Sequence, residues 1–387
     1  MPPIYLDNNA TTSLDPRVAS VVNELMNERL ANPASQHAFG RTARRVLESA
    51  REEILELAGA RTRGMASDHL LFTSGGTESN NLAIFGLAQQ RPGTIVVSSI
   101  EHPSVLAAAQ FLEQQGREVI YLPCDSSGVI QIAPLTERIH NAPDSIALVS
   151  VMLANNETGV LQPIHQITHL CRPHAIPVHC DAVQAIGKIP LSFRELDVDA
   201  MTITAHKLHG PVGVGALLLR HSVTISPHHF GGFQHLGLRP GTESPVLAAA
   251  FAASVSIALT ELSETNARMT RMRQRLEQSL TADLPNATIL GIVSQRLPHT
   301  TSVAFPGIDR QALQLALDHA GIACSTGSAC ASGSSQPSHV LQAMGLPSDV
   351  IRGAVRFSLS RETTDEEIES AIAIITQVVR RLAPRDS

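Results

Sequence analysis

The chain of 387 residues is short of several residue types that mark particular classes of protein. It has no tryptophan, two tyrosines and only two lysines, Lys188 and Lys207, so arginine carries almost all of the positive charge. A net charge of −6 without a basic run or an aromatic ladder argues against nucleic-acid binding. No apolar stretch has membrane-spanning length, and the first residues lack signal-peptide features. We therefore expect a cytoplasmic protein that binds neither nucleic acid nor a membrane.

Cysteine is also scarce, with five residues: Cys124, Cys171, Cys180, Cys324 and Cys330. A sparse, odd number in a chain without a secretion signal indicates reduced thiols rather than a disulfide framework. No pair of cysteines and no His/Cys cluster has zinc-site spacing, so we expect no metal. Cys330 differs from the others because it is surrounded by small residues, which predicts an exposed loop and a reactive thiol.

Short apolar runs alternate with helical patterns through the first two-thirds of the chain. The predicted strands are His69–Ser74, Thr94–Ser99, Glu118–Pro123, Ile146–Leu153, Pro177–Ala182, Ala200–Ala205 and Gly215–Arg220. The first predicted helices are Arg41–Ala58, Glu78–Gln89 and Pro103–Gln115. Continuously apolar strands indicate a sheet covered on both faces, so this rhythm predicts a mostly parallel α/β sheet. Beyond residue 245, long helices and two further strands predict a smaller α+β part.

Two of the predicted strands end in residues with distinctive chemistry. Lys207 follows Ala200–Ala205, and Asp181 lies at the end of Pro177–Ala182. A desolvated lysine that forms a Schiff base and an aspartate that pairs with a pyridinium nitrogen are what pyridoxal phosphate requires of a protein. From these two segments alone, a surface lysine and a helix-capping aspartate are an equally good interpretation.

Other polar groups also follow predicted strands: Thr77 after Gly75-Gly76, His102, Asn155, Gln184 and His206. A glycine turn that opens a helix is an anion site, and a histidine there can stack on a ring or move protons. Each residue taken singly has an ordinary structural alternative, such as a cap or a turn. Their convergence at the carboxyl edge of a parallel sheet favours a ligand site.

Eight segments, in order along the chain, resemble the cysteine desulfurases of the NifS/IscS type in the class V aminotransferase superfamily. They are Tyr5–Thr12, Thr73–Asn80, Glu101–Pro103, Asn155–Gly159, Asp181–Gln184, His206–Lys207, Gly327–Cys330 and Val355–Arg361. The resemblance implies a fold-type I pyridoxal phosphate enzyme with a seven-stranded, mostly parallel sheet, and a homodimer. It also implies a large domain of residues 16–259 and a small domain of residues 1–15 and 260–387 that carries the catalytic cysteine.

The resemblance assigns roles by position. Lys207 would hold pyridoxal phosphate covalently, Asp181 would pair with its pyridine nitrogen, and His102 would stack on its ring and take part in catalysis. Gln184 would meet the phenolic oxygen. The phosphate would be bound by Gly76, Thr77, Thr204 and His206, with Thr242 reaching the phosphate of the partner subunit.

The implied reaction converts L-cysteine to L-alanine. Lys207 would remove the α-proton, and the Cys330 thiolate would take the substrate sulfur as a persulfide for a sulfur-acceptor protein such as an iron–sulfur scaffold. Arg356 would clamp the substrate carboxylate, a task suited to a planar bidentate donor. Asn155 would help to place cofactor and substrate. A selenocysteine lyase or another enzyme of the class V type is the alternative.

The chain departs from the family pattern at two places. Gln234–Arg239 has His235 where the pattern has glutamate, and Leu236 and Leu238 where it has arginine. Val212 replaces a usual lysine. These changes put charge pairing near the expected dimer interface in doubt and leave the core chemistry untouched.

Overall fold

The computed structural model describes residues 3–327 and 336–383. Its strands, in chain order, are β1 Ile4–Tyr5, β2 His69–Thr73, β3 Thr94–Ser98, β4 Val119–Leu122, β5 Ile146–Ser150, β6 Val178–Asp181, β7 Ala200–Thr204, β8 Gly215–Leu219, β9 Thr288–Ile289, β10 Thr300–Ala304, β11 Ile322–Ala323 and β12 Ala354–Ser358. Its helices are α1 Pro16–Asn27, α2 Ala38–Leu57, α3 Gly76–Ala88, α4 Pro103–Gln114, α5 Ala133–Asn141, α6 Ile164–Cys171, α7 Phe193–Leu196, α8 Pro245–Thr260, α9 Leu262–Asp283, α10 Arg310–His319, α11 His339–Ala343, α12 Ser348–Arg352 and α13 Asp365–Leu382.

The central sheet has seven strands in the order β2-β8-β7-β6-β5-β3-β4. Strands β4, β3, β5, β6 and β7 pair in parallel, whereas β8 is antiparallel to both of its neighbours. All seven predicted strands are present, each ending within one to three residues of its predicted bounds. The predicted fold class, a mostly parallel seven-stranded sheet with a smaller α+β part, is confirmed.

Both faces of this sheet are covered, as the continuously apolar strands predicted. Residues of β3, β5, β7 and β8 are buried throughout. Alternate side chains enter separate cores: Val96 and Val149 pack with α2 and α8, while Ile95, Val97 and Leu148 pack with α3 and α4. Two-sided burial holds the carboxyl ends of the parallel strands at one fixed edge.

Helix α2 shows how local signals place these layers. Its buried side chains recur on one stripe, and Gly59 follows its last turn with φ of +70°, where the amide of Ala60 donates to the carbonyl of Leu55. The predicted helix therefore ends where Gly59 suggested. Helices α1, α5 and α6 were not predicted, although Asp15 caps α1 and Pro16 opens it.

A second sheet, in the order β12-β10-β9, lies beside helices α9, α10 and α13, and a separate short sheet pairs β1 with β11. A third apolar core joins Ile4 and Leu6 to residues of these later elements, including Leu276 and Phe357. Helix α13 begins with a capping box made by Thr364 and Glu367. Within the described ranges, no single helix is long and apolar enough to cross a bilayer; α8 and α9 meet that test only as a pair bent by 69°.

Candidate active site

A cavity of about 280 Å³ lies at the carboxyl edge of the central sheet, where β6 and β7 end and α3 and α4 begin. Nine residues singled out from the sequence line it: Gly76, Thr77, His102, Asp181, Gln184, Thr204, His206, Lys207 and Arg356. In parallel sheets this edge collects ligands because successive strands deliver their terminal side chains to it. The structure thus brings together side chains that are up to 280 positions apart in the sequence, from Gly76 to Arg356.

The amine of Lys207 faces the amino-terminal segment of the chain. Its Nζ donates hydrogen bonds to the backbone carbonyls of Asn9 and Ala10, which also line the cavity. The hydroxyl of Thr12 and its amide both donate to the carbonyl of His206. The lysine is therefore oriented by two carbonyl oxygens of the amino-terminal segment.

Asp181 is a buried carboxylate, 6% exposed, whose partners are neutral. Its Oδ2 accepts from Asn80 Nδ2 at 2.7 Å and its Oδ1 from the amide of Val183 at 2.9 Å. No described cation lies within salt-bridge distance of it. A buried anion without a cationic partner is costly. The carboxylate of Asp181 therefore suits a ligand with a protonated ring nitrogen.

His102 is linked to that aspartate through a short polar chain. Asn80 Nδ2 also donates to Ser104 Oγ at 2.9 Å, and Ser104 Oγ lies 2.8 Å from His102 Nδ1. Burial lowers the pKa of His102, while the negative charge of Asp181 opposes that shift. Asn80 Oδ1 is buried without a described partner. His102 Nδ1 also accepts from the amide of Ser104 at 3.2 Å, so the ring is held in a fixed orientation at the cavity wall.

The start of α3 forms the anion-binding corner of the cavity. The helix has no side-chain cap, and Gly75 precedes it with φ of +155°, a conformation open to glycine. The first amides of the helix and the positive end of its dipole are therefore available to bind an anion in the cavity. Thr77 and His206 line the same space. Burial lowers the pKa of His206 to about 4. Thr204 donates its hydroxyl to the carbonyl of Val214 at 3.1 Å.

Arg356 is the largest fully buried side chain in the described chain. Its Nη1 donates to the carbonyl of Asn156 at 3.0 Å and its Nη2 to Asp7 Oδ1 at 2.6 Å. Its Nε is buried and has no described acceptor, although the side chain lines the cavity. An orphaned buried donor costs about 1–3 kcal/mol. A substrate carboxylate that reached this guanidinium would remove that cost.

We predict that Arg356→Lys raises the KM for an amino acid substrate by roughly tenfold to a hundredfold, because a lysine keeps the charge but offers no planar pair of donors. Initial rates over a range of substrate concentrations measure the effect. Arg275→Lys is the control, since Arg275 lies on the surface and pairs only with Glu369. An unchanged KM in Arg356→Lys would show that the carboxylate binds elsewhere.

Two predicted site residues that the structure describes, Asn155 and Thr242, do not line the cavity. The Asn155 side chain is fully buried and accepts from the amides of Glu157 and Thr158, while its Nδ2 donates to the carbonyl of Ile100. The structure therefore gives Asn155 the turn role that was its sequence alternative, because its amide is already occupied; its neighbour Asn156 lines the cavity instead. Thr242 lines a different, open groove with Phe233. Cys330 lies outside the described residues.

The two stretches that flank residues 328–335 both meet the carboxylate of Glu157, which is 2% exposed. Ser338 Oγ donates to Glu157 Oε2 at 2.5 Å. A Cβ placed on Gly327, whose φ is +136°, would lie 3.1 Å from the same oxygen. On the amino-terminal side, Ser325 and Arg356 exchange backbone hydrogen bonds. Both flanks are thus fixed beside the residues of the cavity.

Sequence reasoning missed several residues that build the site. Asn9 accepts from Lys207 and from Gln184 through its carbonyl, and its side chain contacts Thr300 and His299. Asn80 joins Asp181 to Ser104. Both residues lie in segments that carried the family resemblance, so the motif was visible. Their roles were not, because they depend on contacts between distant parts of the chain.

The segment that departs from the family pattern is strained, and its residues differ in exposure. His235 and Leu236 have φ of +48° and +59°, which costs non-glycine residues about 1 kcal/mol or more each. His235 Nε2 lies 2.9 Å from Glu243 Oε1, so it keeps a partner. Leu236 is 73% exposed and Val212 is 74% exposed. Leu236 and Val212 thus present apolar surface where the family pattern has a cation, whereas Leu238 is half-buried and packs against the core that contains α3 and α4.

Glu101 precedes His102 and is fully buried; its Oε1 accepts from Ser98 Oγ at 2.5 Å and from the amide of Met152 at 2.7 Å. Burial raises its pKa to about 8 from an ordinary 4.5. Above pH 4.5 the unfolded chain releases this proton but the folded chain does not. Below pH 4.5 Glu101 is protonated in both states, and its contribution to the free energy of unfolding is at its largest. That contribution is lost as the pH rises to 8, because the unfolded chain ionises Glu101 more readily than the folded chain does.

We predict that Glu101→Gln makes the folded chain more stable than the wild type at pH 8, by about 1–3 kcal/mol, because glutamine stays neutral in both states. At pH 5 most of this difference disappears. Urea unfolding at the two pH values measures the free energies. Glu52→Gln is the control, since Glu52 is exposed. An equal effect of Glu101→Gln at both pH values would contradict the prediction.

The cavity can be tested for pyridoxal phosphate by the chemistry of its walls. It offers an amine, a buried carboxylate without a cation, an uncapped helix start and an orphaned guanidinium nitrogen. These match the aldehyde, the ring nitrogen and the phosphate of the cofactor and the carboxylate of an amino acid substrate. The residues present therefore fit the cofactor.

Comparison with known proteins gives one consistent family. Residues 4–370 match the family described as aminotransferase class-V. A protein called cysteine desulfurase from Nostoc sp. is 40% identical over 98% of this chain and 93% of its own length. The protein called cysteine desulfurase NifS from Azotobacter vinelandii is 38% identical over 99% and 94%. The solved structure of a NifS-like protein from Rickettsia africae has a TM-score of 0.89 at 32% identity, covering 97% of this chain and 99% of its own.

Proposed function

Because this chain belongs to the cysteine desulfurases of the class-V aminotransferase family, we propose that its cavity binds pyridoxal phosphate and L-cysteine and releases L-alanine. It is an enzyme, and its cofactor is pyridoxal phosphate. The observation that carries the proposal is the placement of Lys207, Asp181 and Arg356 around one cavity. A selenocysteine lyase or another class V enzyme is not favoured, since these relatives bear the name cysteine desulfurase.

The bound cofactor supplies a carbonyl for amines and an electron sink for the substrate's Cα. Arg356 would bind the substrate carboxylate and so fix the substrate relative to the amine of Lys207. Lys207, held by two carbonyl oxygens, would remove the α-proton, and His102 would move protons at the cavity wall. Asp181 would hold the ring nitrogen protonated, and Gln184 would meet the phenolic oxygen.

The sulfur would then pass to Cys330. Its thiolate forms a bond to the substrate sulfur, the bond from that sulfur to Cβ breaks, and the carbon keeps the electron pair and takes up a proton to become the methyl of alanine. The enzyme is left with a persulfide. We propose that a separate sulfur-acceptor protein, such as an iron–sulfur scaffold, receives this sulfur. The fixed flanks of residues 328–335 beside Glu157 and Arg356 support placing the thiol at this cavity.

We also propose a homodimer in which Thr242 reaches the phosphate of the partner subunit. The support is a set of exposed apolar residues shortly before Thr242 in the chain, namely Phe230, Phe233 and Leu236, which are 88%, 95% and 73% exposed, and Phe233 lines the same groove as Thr242. Single exposed apolar residues are ordinary, but a cluster on a strained loop is typical of an interface. Sedimentation of the purified protein tests the dimer, and Phe233→Ser is expected to shift it towards monomer.

The division into a large domain of residues 16–259 and a small domain of residues 1–15 and 260–387 is also our proposal. It is supported by the third apolar core, which joins Ile4 and Leu6 to elements after residue 260.

We also propose that the protein is cytoplasmic. The support is that the four described cysteines are all free thiols, which is typical of a reducing compartment.

The test is to supply the purified protein with pyridoxal phosphate, L-cysteine and a reductant and to measure alanine and sulfide together. Equal amounts of the two products are expected, since each turnover yields one alanine and one transferable sulfur. A cofactor-loaded protein that produced no alanine, or alanine without sulfide, would overturn the proposed function. L-Serine serves as the control substrate, because it has the same carboxylate and amine but no sulfur.

A further inference from the structure

The two lysines of this chain lie against the same small cavity. It has a volume of about 40 Å³, and Lys207 and Lys188 both contribute to its lining, as do His209, His299, Glu261 and Arg361. Lys207 also lines the larger cavity described above, whereas Lys188 does not. A chain that uses arginine everywhere else thus keeps its only other amine next to the cofactor lysine.

Lys188 is buried, 7% exposed, and its ammonium has one neutral acceptor. Its Nζ donates to Gln184 Oε1 at 3.3 Å, and no described carboxylate lies within 4 Å of it. Glu261, the acidic residue of the small cavity, is paired with Arg17 and Arg361. Burying an amine with so little compensation is unfavourable for folding. Its position therefore calls for a functional reason.

We propose that Lys188 is a positioning residue that orients the Gln184 amide and favours the uncharged form of the Lys207 amine. The inference rests on the proposed function, in which Gln184 and Lys207 bind the cofactor. Lysine is a donor only, so the oxygen of the amide must face Lys188. Gln184 Nε2 then faces the other way, where one of its hydrogens is donated to the carbonyl of Asn9 at 3.0 Å. The second hydrogen remains for an oxygen in the cavity.

The effect on Lys207 is electrostatic. Burial, together with the positive charges of Lys207 and Arg356, lowers the pKa of Lys188 to about 7. Such repulsion is mutual: a charge on Lys188 disfavours a proton on Lys207. The carboxylate of Glu261 in the same cavity does not offset this repulsion, because it is paired with Arg17 and Arg361. His209 and His299 add no opposing charge, since burial lowers the pKa of His209 to about 4 and that of His299 well below its ordinary value. A neighbouring cation is an established way to make a lysine a better nucleophile.

The experiment compares Lys188→Met, which removes charge and donor, with Lys188→Arg, which keeps both. Full-length protein freed of cofactor is incubated with pyridoxal phosphate from pH 6 to pH 9, treated with borohydride and analysed by peptide mass spectrometry. With two lysines in the chain, an adduct at Lys207 is readily distinguished from one at Lys188. We expect the pH of half-labelling of Lys207 to rise by about one unit in Lys188→Met, and pyridoxal phosphate to bind roughly tenfold more weakly. Lys188→Arg should stay close to the wild type.

Thermal unfolding of the same proteins separates this role from a structural one. Lys188→Met should melt no lower than the wild type, because a buried amine has been removed. If the pH profile for labelling of Lys207 is the same in Lys188→Met as in the wild type, the inference is overturned, whatever the melting temperature of the variant. A pyridoxal phosphate adduct on Lys188 in the wild-type protein would also overturn it. Failure of the wild type to be labelled at Lys207 would instead refute the proposed function.

Discussion

Lys207→Ala is expected to lower the rate of alanine formation from L-cysteine by more than about a thousandfold, since it removes both the covalent attachment of the cofactor and the base for the α-proton. The structure shows no described amine that can replace it in the larger cavity; Lys188 lies in the smaller one. The rate is measured with saturating L-cysteine and pyridoxal phosphate. The wild type and the variant should differ in the cofactor absorbance as well.

Lys207→Arg provides the matched control for folding. A guanidinium keeps the positive charge and can still donate to the carbonyls of Asn9 and Ala10, but it does not bind the cofactor covalently. The arginine variant should therefore melt close to the wild type and be as inactive as the alanine variant. Activity within tenfold of the wild type in either variant would remove Lys207 from the mechanism.

Cys330→Ser is expected to reduce sulfide release from L-cysteine by more than about a hundredfold while cofactor binding is retained, because a hydroxyl is a far weaker nucleophile toward sulfur than a thiolate. Sulfide and alanine are measured in parallel, and the cofactor spectrum reports the state of the cavity. The persulfide on Cys330 is detected by mass spectrometry after a single turnover of the wild type.

Cys324→Ser is the control for Cys330→Ser. Cys324 is six positions earlier in the sequence and is 6% exposed, and burial raises the pKa of its thiol to about 12. It is therefore not a thiolate near neutral pH. The Cys324 variant should release sulfide at a rate close to the wild type. If Cys330→Ser formed sulfide and alanine at the wild-type rate, Cys330 would not be the sulfur carrier.

The strands of the central sheet could be predicted because each is a short apolar run closed by a polar or turn-forming residue. Their pairing could not. The antiparallel direction of β8, and its insertion between β2 and β7, depend on where the chain returns after residue 207. The alternation of strands and helices predicted a mostly parallel sheet, but the apolar run of β8 does not by itself show that this strand is antiparallel. Helices α1, α5 and α6 were overlooked, although cap and proline signals marked the first.

The candidate site was predictable to the extent that its residues follow strands. Lys207, Asp181 and His102 lie where the sheet edge puts them. Asn155 also follows a strand, but its side-chain oxygen accepts hydrogen bonds from the backbone amides two and three residues later. The side chain therefore stabilises a turn. Lys188 does not follow a strand, so the role proposed for it could be inferred only from its burial and from its hydrogen bond to Gln184.

The contacts of the amino-terminal segment also bear on the order in which the enzyme is made. Asn8 and Asn9 bond to Ser358, β1 pairs with β11, and the carbonyl of Asn9 is an acceptor for Lys207. A chain emerging from the ribosome therefore has residues 4–9 first but cannot seat them until strand β12 has been synthesised. Domains commonly fold during synthesis, and long-range pairings form late. Cofactor capture should thus be among the last events of biogenesis, when nearly the whole chain has been translated.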